Sequence, residues 1–206
     1  MLIGGWLLYF LLHSLLASLT VKYWVAQRWP ALLPAYRLMF NAISLLSLLP
    51  LLYLLYTFPG PEIWAWRGVG WVLVNLLALA SVAGFVWSMR YYDSKEFIGL
   101  RQWRQGVRSV EDQEHLHISP LHRYVRHPWY FLGLVLVWTR DMSQAFLISA
   151  LMITLYFIVG SWLEERKLMV YHGERYRRYR EKVPGLIPLP WKHLSREQAG
   201  DILKGL

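Results

Sequence analysis

The chain has 206 residues, of which 56% are hydrophobic and 17% charged, and its mean hydropathy is +0.28. A soluble domain usually carries about 25% charged residues, so the composition requires either an unusually large core or a membrane. Cysteine is absent, which excludes disulfides, thiolate nucleophiles, Cys-ligated zinc and iron–sulfur clusters. The net charge of +9 would suit nucleic acid, but the basic residues flank apolar runs, and we therefore interpret the charge first as a signal of membrane topology.

Five apolar runs follow one another along the chain, over residues 2–19, 38–56, 69–87, 129–138 and 145–163. Several approach the roughly 20 residues that a helix needs to cross a bilayer, and uninterrupted apolar runs of this kind indicate helices. The first run resembles a signal peptide only weakly, because no basic residue precedes it and no small-residue cleavage site follows. We expect it to be retained as a helix, and we expect Pro50 to interrupt the second helix.

Lysine and arginine alternate with these runs. Of the 22 basic residues, three lie in 22–37, seven in 90–126 and ten from residue 166 onward. Because basic loops stay on the cytoplasmic side, we predict an all-α polytopic membrane protein of about five transmembrane helices. Its amino terminus would lie outside and its carboxy terminus in the cytoplasm, and the basic segments would contact anionic lipid headgroups.

Two regions differ in character, and we predict a division into a three-helix transmembrane region, 1–92, and a second region, 93–206. The second region starts with a polar segment in which we expect an interfacial helix over 96–107. The fourth apolar run is only ten residues long, about 15 Å as a helix, and it cannot span the membrane alone unless residues 121–127 continue it. A short hairpin of the fourth and fifth helices, capped by a cytoplasmic tail, would leave room for a cavity.

The fifth helix carries a polar line where it leaves the membrane. Glu165, Met169, His172, Tyr176 and Tyr179 stay within about 40° of one face if the helix runs on through Gly173. Gly173 could instead end the first segment and bend the line. The three prolines of 183–190 then forbid a regular helix, and we predict an extended strap there.

Three groups of residues resemble one family in their order and spacing. They are Arg126-His127-Pro128-x-Tyr130-x-x-Gly133, Glu164-Glu165-x-x-Leu168, and Gly173-x-x-Tyr176-x-x-Tyr179-x-x-x-Val183-Pro184-x-x-Ile187-Pro188. Together they resemble the isoprenylcysteine carboxyl methyltransferase and phospholipid methyltransferase superfamily of integral membrane enzymes. A looser resemblance, to the branch of methanethiol S-methyltransferases, nurim and NnrU-type proteins, rests on Leu12-His13-Ser14-Leu15-Leu16-Ala17, Tyr36-Arg37-Leu38-x-x-Asn41 and Gly99-Leu100-Arg101-Gln102.

The resemblance implies an S-adenosylmethionine-dependent methyltransferase of a bacterial inner membrane, acting on a small or lipophilic acceptor. It implies cofactor-binding residues, with Glu165 near the ribose hydroxyls, at His127, Pro128, Tyr130, Gly133, Glu164, Glu165, Tyr176 and Tyr179. We expect catalytic roles for Arg126, His122 and His13. The acceptor would be a thiol, a prenylcysteine carboxylate or a lipid headgroup, and the looser resemblance favours the thiol.

Alternatives remain open for several residues. The chain departs from the family pattern at Ser119-Pro120-Leu121-His122, where the family often has glycine and tyrosine, and His122 could replace the tyrosine or accept a proton. His13 could instead form an interhelical hydrogen bond, and Arg37 and Asn41 could line the cavity or lie at the interface. Tyr176 and Tyr179 could simply pack the tail. The spacing of the histidines at 115, 117, 122 and 127 matches no helical zinc motif, so we expect no metal.

Two functions of other classes compete with methyl transfer. Sterol-type membrane reductases share a similar carboxy-terminal architecture and bind NADPH, but they typically have Asn where this chain has Trp129. A non-catalytic membrane protein of the NnrU or nurim type is the other alternative, and the near-complete motif argues against it.

Overall fold

The computed structural model describes residues 1–106, 110 and 116–204, and these residues are mostly helical. The helices are α1 Leu2–Ala17, α2 Leu19–Arg28, α3 Tyr36–Thr57, α4 Gly68–Ser88, α5 Ser94–Ile98, α6 Leu100–Gln105, α7 Pro128–Trp138, α8 Gln144–Lys182 and α9 Arg196–Lys204. The strands are β1 Glu62–Trp64 and β2 Met142–Ser143, and 3₁₀ turns cover Pro30–Ala35, Met89–Tyr91 and Leu121–Arg123.

Three helical stretches of the described chain are long and apolar enough to cross a membrane, namely Pro30–Thr57, Gly68–Tyr91 and Gln144–Lys182. The pair α1 and α2, bent by 59°, makes a fourth if it forms one span. The chain is therefore a helical integral membrane protein. The α7 helix has only 11 residues, so a count of five spans stays a prediction.

The residues fall into two compact units, each built from three segments of the chain. The first unit comprises Met1–Trp64, Tyr92–Asp112 and Met142–Met152, and the second comprises Ala65–Tyr91, Gln113–Asp141 and Ile153–Leu206. The division of the chain at residue 92 stays a prediction.

In the first unit, α1 packs against α3 and the start of α8. A Cβ on Gly5 would lie 2.7 Å from Leu51, so the glycine permits a close approach of the two helices. The indole of Trp6 donates to the Ser149 hydroxyl at 2.9 Å. Strands β1 and β2 pair antiparallel in the same unit.

The first apolar run forms a helix as expected, and this helix, α1, ends at Ala17. Ser18 has an extended backbone and its hydroxyl accepts from the Val21 N–H, as an N-cap does, so a second helix starts at the last residue of the run. The expectation that Pro50 interrupts the second helix was wrong, since α3 runs through it without a break. Proline is tolerated in membrane helices where the freed backbone groups find other partners.

The segment after α4 forms two short helices instead of one. Asp93 caps α5 by accepting from the N–H groups of Lys95 and Glu96, and these backbone hydrogen bonds lower the pKa of its carboxyl. Gly99 then separates α5 from α6 with a φ of 96°. The interfacial helix expected over 96–107 is therefore broken at Gly99, and Val107 lies outside the described residues.

The end of α5 is bound to α3. The Arg37 Nε donates to the Phe97 carbonyl at 3.1 Å, and the Asn41 amide donates to the Ile98 carbonyl at 2.9 Å. A Cβ on Gly99 would lie 2.8 Å from the Cβ of Arg37, so two sequence pieces of the looser resemblance, 36–41 and 99–102, meet in space.

In the second unit, α4 packs against α7. Ser81 donates to the Leu132 carbonyl at 2.7 Å, and the Trp129 indole donates to the Ser88 hydroxyl at 2.8 Å. A Cβ on Gly84 would lie 3.2 Å from Leu132, so small residues on α4 let the helices approach closely.

Residues 121–127 do not continue α7, so the fourth apolar run is not lengthened in the way that would let it span alone. They form a 3₁₀ turn, Leu121–Arg123, and then non-helical backbone that ends at His127 with φ −119° and ψ 70°. The residue before a proline is disfavoured in the helical region, and Pro128 therefore begins α7. Helix α8 continues past Gly173, where φ 49° and ψ −123° bend it.

Candidate functional site

The candidate site, which lies wholly within the second unit, is centred on Glu165 of α8. Its side chain is 10% exposed. One carboxylate oxygen accepts from Arg126 Nε at 2.9 Å and Nη2 at 2.7 Å, and it lies 3.1 Å from His127 Nε2. The other oxygen lies 3.5 Å from Arg180 Nε. Glu165 is thus a buried carboxylate held by two arginines and a histidine.

Glu164, its neighbour in sequence, has different surroundings. Its side chain is 48% exposed. It accepts a hydrogen bond from the Tyr130 hydroxyl at 3.3 Å and lies 3.4 Å from His127 Nδ1. Of the two adjacent acids, Glu164 is therefore the one whose oxygens remain accessible to a ligand.

His127 lies between the two carboxylates at the start of α7. Burial of the ring lowers its pKa, but the hydrogen bonds and charges of Glu164 and Glu165 outweigh burial and raise the pKa above its ordinary value. With an acid at each ring nitrogen, the protonated form donates to both. His127 is thereby fixed as part of the charged network.

Aromatic rings continue from His127 into the helices. The His127 ring stacks on Tyr130 at 5.3 Å between centroids, and Tyr130 stacks on Phe157 at 4.6 Å. A Cβ on Gly133 would lie 3.1 Å from Phe157, so the glycine of the motif lets that ring approach. The result is a stack of flat apolar faces beside the exposed oxygens of Glu164.

The strap, residues 183–190, closes on the other side of Arg126. The Arg126 Nη1 donates to the carbonyls of Arg180 and Val183. The backbone N–H of Arg126 donates to the Pro184 carbonyl at 2.8 Å, and that of His127 donates to the Gly185 carbonyl at 3.1 Å. Arg126 therefore joins α8, the strap and the turn before α7.

Tyr176 and Tyr179 lie beyond the bend at Gly173 and are both buried. They form a core with Val183, Leu194 and residues of α9. The Tyr179 hydroxyl donates to the His122 carbonyl at 2.7 Å. Tyr176 is 1% exposed, and its hydroxyl has no hydrogen-bond partner among the residues that the structure describes.

His122 pairs with a residue for which sequence reasoning proposed no role. The Ser119 hydroxyl lies 2.7 Å from His122 Nδ1, and Ser119 is 2% exposed. Burial is the largest cause that lowers the pKa of His122 to about 4; His117 and His127 lower it further, and Glu164 acts in the opposite direction. The sequence signal that could have indicated this contact is the departure of residues 119–122 from the family pattern.

The remaining predicted residues lie elsewhere. His13 belongs to the first unit, where its ring packs 4.9 Å from that of Phe40. Arg37 and Asn41, also in that unit, bind the carbonyls at the end of α5. No group of three metal-ligating side chains is found among the described residues, and His115 lies outside them.

Comparison with known proteins finds relatives that are named methyltransferases. The chain is 32% identical over 179 residues to methanethiol S-methyltransferase 2 of Bradyrhizobium diazoefficiens, covering 85% of this chain and 68% of that protein. It is 35% identical over 95 residues to methanethiol S-methyltransferase of Pseudomonas deceptionensis, covering 45% of this chain and 36% of that protein. It is 30% identical over 115 residues to protein-S-isoprenylcysteine O-methyltransferase of Schizosaccharomyces pombe, covering 53% of this chain and 49% of that protein.

No family profile and no solved structure matches the chain. The helical membrane fold, the motifs and these relatives together show that the chain belongs to the isoprenylcysteine carboxyl methyltransferase-like superfamily of membrane methyltransferases. Within that superfamily it lies in the methanethiol S-methyltransferase branch. It spans about two thirds of the length of the first of these relatives and half or less of the other two.

Proposed function

We propose that this protein transfers a methyl group from S-adenosylmethionine to a thiol at the cytoplasmic side of a bacterial inner membrane. The observation that carries the proposal is the pair of adjacent glutamates beside an aromatic stack, closed by the strap. S-adenosylmethionine supplies a methyl group on a sulfonium sulfur, together with a ribose diol, an adenine and a methionyl tail. A site for it needs acceptors for the diol and flat apolar walls for the base.

The residues present fit these needs. The accessible oxygens of Glu164 suit the diol, and the stacked faces of His127, Tyr130 and Phe157 suit the adenine. The buried Tyr176 hydroxyl, which lacks a partner among the described residues, supplies a further polar contact. Pro128, Gly133 and Tyr179 shape the walls through their positions in α7 and α8.

The family resemblance implied that Glu165 lies near the ribose hydroxyls, whereas the contacts favour Glu164 for that task. The Oε1 of Glu165 already accepts from Arg126 and faces His127. We therefore propose that Glu165 holds Arg126 and His127 in place, while Glu164 contacts the ligand. Arg126, expected to be catalytic, would act here as a positioning residue.

The test is isothermal titration of the purified, folded protein with S-adenosylmethionine. A hydrogen bond to a charged group contributes about 1.5–3 kcal/mol, so we expect Glu164→Gln to weaken binding by roughly 10- to 100-fold with little change in thermal stability. Glu165→Gln should lower both the affinity for S-adenosylmethionine and the thermal stability. Glu197→Gln, at an exposed acid of α9, is the matched control, and wild-type protein that binds no cofactor would contradict the proposal.

The acceptor is tested separately. The names of the relatives favour a thiol over a prenylcysteine carboxylate or a lipid headgroup. Methyl-labelled cofactor offered with a thiol, a prenylcysteine and phospholipid should label the volatile thioether fraction. Label confined to the lipid or prenylcysteine fraction would reassign the acceptor, and thermal protection by NADPH alone would favour a reductase.

The proposed topology has five spans, the amino terminus outside and α9 in the cytoplasm. Its support is the alternation of basic segments along the chain. Because the sequence contains no cysteine, single cysteines can be introduced at Gly60 and His193 and labelled in intact cells with an impermeant maleimide. Labelling at residue 60 but not at residue 193 is expected, and the reverse pattern would invert the topology.

A further inference from the structure

We infer that Ser119 and His122 form a proton-accepting pair for the methyl acceptor, with the imidazole of His122 as the base and Ser119 as the residue that positions it. The inference rests on the proposed function and deepens it, because it names how a neutral thiol is activated. It also assigns a role to the stretch where the chain departs from its family.

The geometry fixes the ring from several sides. Pro120 begins the 3₁₀ turn with φ −52° and ψ −37°, which proline adopts readily. The turn carries the ring of His122 back to Ser119, whose hydroxyl lies 2.7 Å from Nδ1. On the other side, the Tyr179 hydroxyl holds the His122 carbonyl at 2.7 Å. The imidazole is thus oriented by a buried serine and by a residue of the candidate cofactor wall.

The groups around the ring keep it uncharged. His117 packs edge-on at 6.4 Å between centroids, and His127 and Glu164 are close enough for their charges to act on it. Burial, with the two neighbouring histidines, lowers its pKa to about 4. At neutral pH the ring is therefore a proton acceptor and not a cation.

The other candidate bases of the charged network are committed elsewhere. His127 faces a glutamate at each ring nitrogen, and Glu165 is held by Arg126. The neutral imidazole of His122 is therefore the group near Glu164 that we assign to proton transfer. A negative sulfur beside it would stabilise the protonated ring, since an opposite charge nearby favours the charged form.

The S–H bond of the thiol breaks and its proton passes to a ring nitrogen of His122, while the electron pair stays on the thiol sulfur. That pair attacks the methyl carbon and forms the new S–CH₃ bond, while the bond between the methyl group and the donor sulfur breaks. The electron pair of that donor bond stays on the donor sulfur, which becomes a neutral thioether. The ring later releases the proton to water. A carboxylate acceptor is already ionised and would need no such base.

The experiment compares two acceptors that differ in their need for a base. One is an alkanethiol, protonated at the assay pH, and the other is an aromatic thiol that is largely ionised. General-base catalysis contributes typically 10²–10⁴-fold, so His122→Gln should lower kcat/KM by about that factor for the alkanethiol and far less for the aromatic thiol. Binding of S-adenosylhomocysteine, measured by calorimetry, should be unchanged. His193→Gln, at an exposed histidine of the same unit, is the matched control.

A second readout does not depend on turnover. In ¹⁵N-histidine spectra of the protein in micelles, the His122 signal should report a neutral ring down to about pH 4. Ser119→Ala should change its tautomer population, and Ser119→Thr, which keeps the hydroxyl, should restore it.

Equal losses for both thiols in His122→Gln, or no loss for the alkanethiol, would overturn the inference while leaving methyl transfer intact. An unchanged tautomer population of the His122 ring in Ser119→Ala would show that Ser119 does not position this ring. A wild-type chain that binds no S-adenosylhomocysteine and methylates neither thiol would overturn the proposed function as well.

Discussion

Replacing Arg126 with alanine tests whether this residue holds the candidate site together. The ion pair that it forms with Glu165 is buried, with side-chain exposures of 12% and 10%. The same guanidinium donates to two carbonyls, those of Arg180 and Val183. Breaking a buried pair by removing one partner costs about 3–5 kcal/mol, because the other charge is left uncompensated. We expect Arg126→Ala to lower the free energy of unfolding by that amount.

The matched control is Arg177→Ala, which breaks an ion pair with Glu174 whose partners are both 57% exposed. Exposed pairs contribute little to stability because solvent screens them, so this variant should remain close to wild type. Reversible unfolding in mixed micelles measures both variants. Arg126→Lys should recover only part of the loss, because an ammonium cannot reproduce the forked geometry.

Two outcomes would refute this reasoning. One is an Arg126→Ala variant as stable as Arg177→Ala. The other is a double variant, Arg126→Ala with Glu165→Ala, whose loss equals the sum of the single losses, since residues in one network should be coupled.

Three further predictions concern other parts of the molecule. Gly99→Ala should destabilise the protein by about 1–3 kcal/mol through overpacking, beyond the cost of its positive φ, because the new Cβ would lie 2.8 Å from the Cβ of Arg37. Gly106→Ala, which also has a positive φ but no atom of the described residues within 4 Å of the new Cβ, is the control in thermal unfolding. Tyr179→Phe should cost about 1–3 kcal/mol, because the His122 carbonyl loses its buried donor, and a difference below about 0.5 kcal/mol in the same assay would contradict it. The pKa of His127 is raised in the folded state, so the contribution of this residue to the free energy of unfolding is complete below pH 6.5 and is lost as pH rises through the raised pKa. In chemical unfolding across that range, the free energy of unfolding should fall with pH in wild type, and this fall should be absent in His127→Gln.

Much of the fold could be predicted from the sequence because the signals were local. Long apolar runs located α3, α4 and the first part of α8. The break at Ser18 was missed because apolar residues continue on both sides of it, although serine is a favoured N-cap. Residues 121–127 do not continue α7 because Pro128 disfavours the helical conformation in the residue before it. The apolar pattern carries no information about this restriction.

The candidate site, like the fold, could be predicted from the sequence only in part. The family resemblance implied that the segment around Arg126 and His127 belongs with the two glutamates, and the structure brings these residues together. It could not indicate which glutamate is buried, because that depends on Arg126 and on the carbonyls of the strap, which are distant in sequence. The pairing of Ser119 with His122 was missed for another reason, because it is defined by a 3₁₀ turn and not by a motif.

The two histidines of this segment show how the site could separate its tasks. His127 lies between two carboxylates, which raise its pKa, whereas His122, five residues earlier, is buried beside a serine, and burial lowers its pKa to about 4. Pairs of titratable groups whose surroundings move their pKa values apart are a common way of assigning different roles to similar side chains. Exchanging the surroundings should therefore exchange the behaviour: Ser119→Asp, which places a carboxylate at the Nδ1 of His122, should raise the pKa of that ring. Methylation of an alkanethiol should then fall at neutral pH and recover as pH rises, whereas a pH profile identical to that of wild type would show that His122 does not accept the proton.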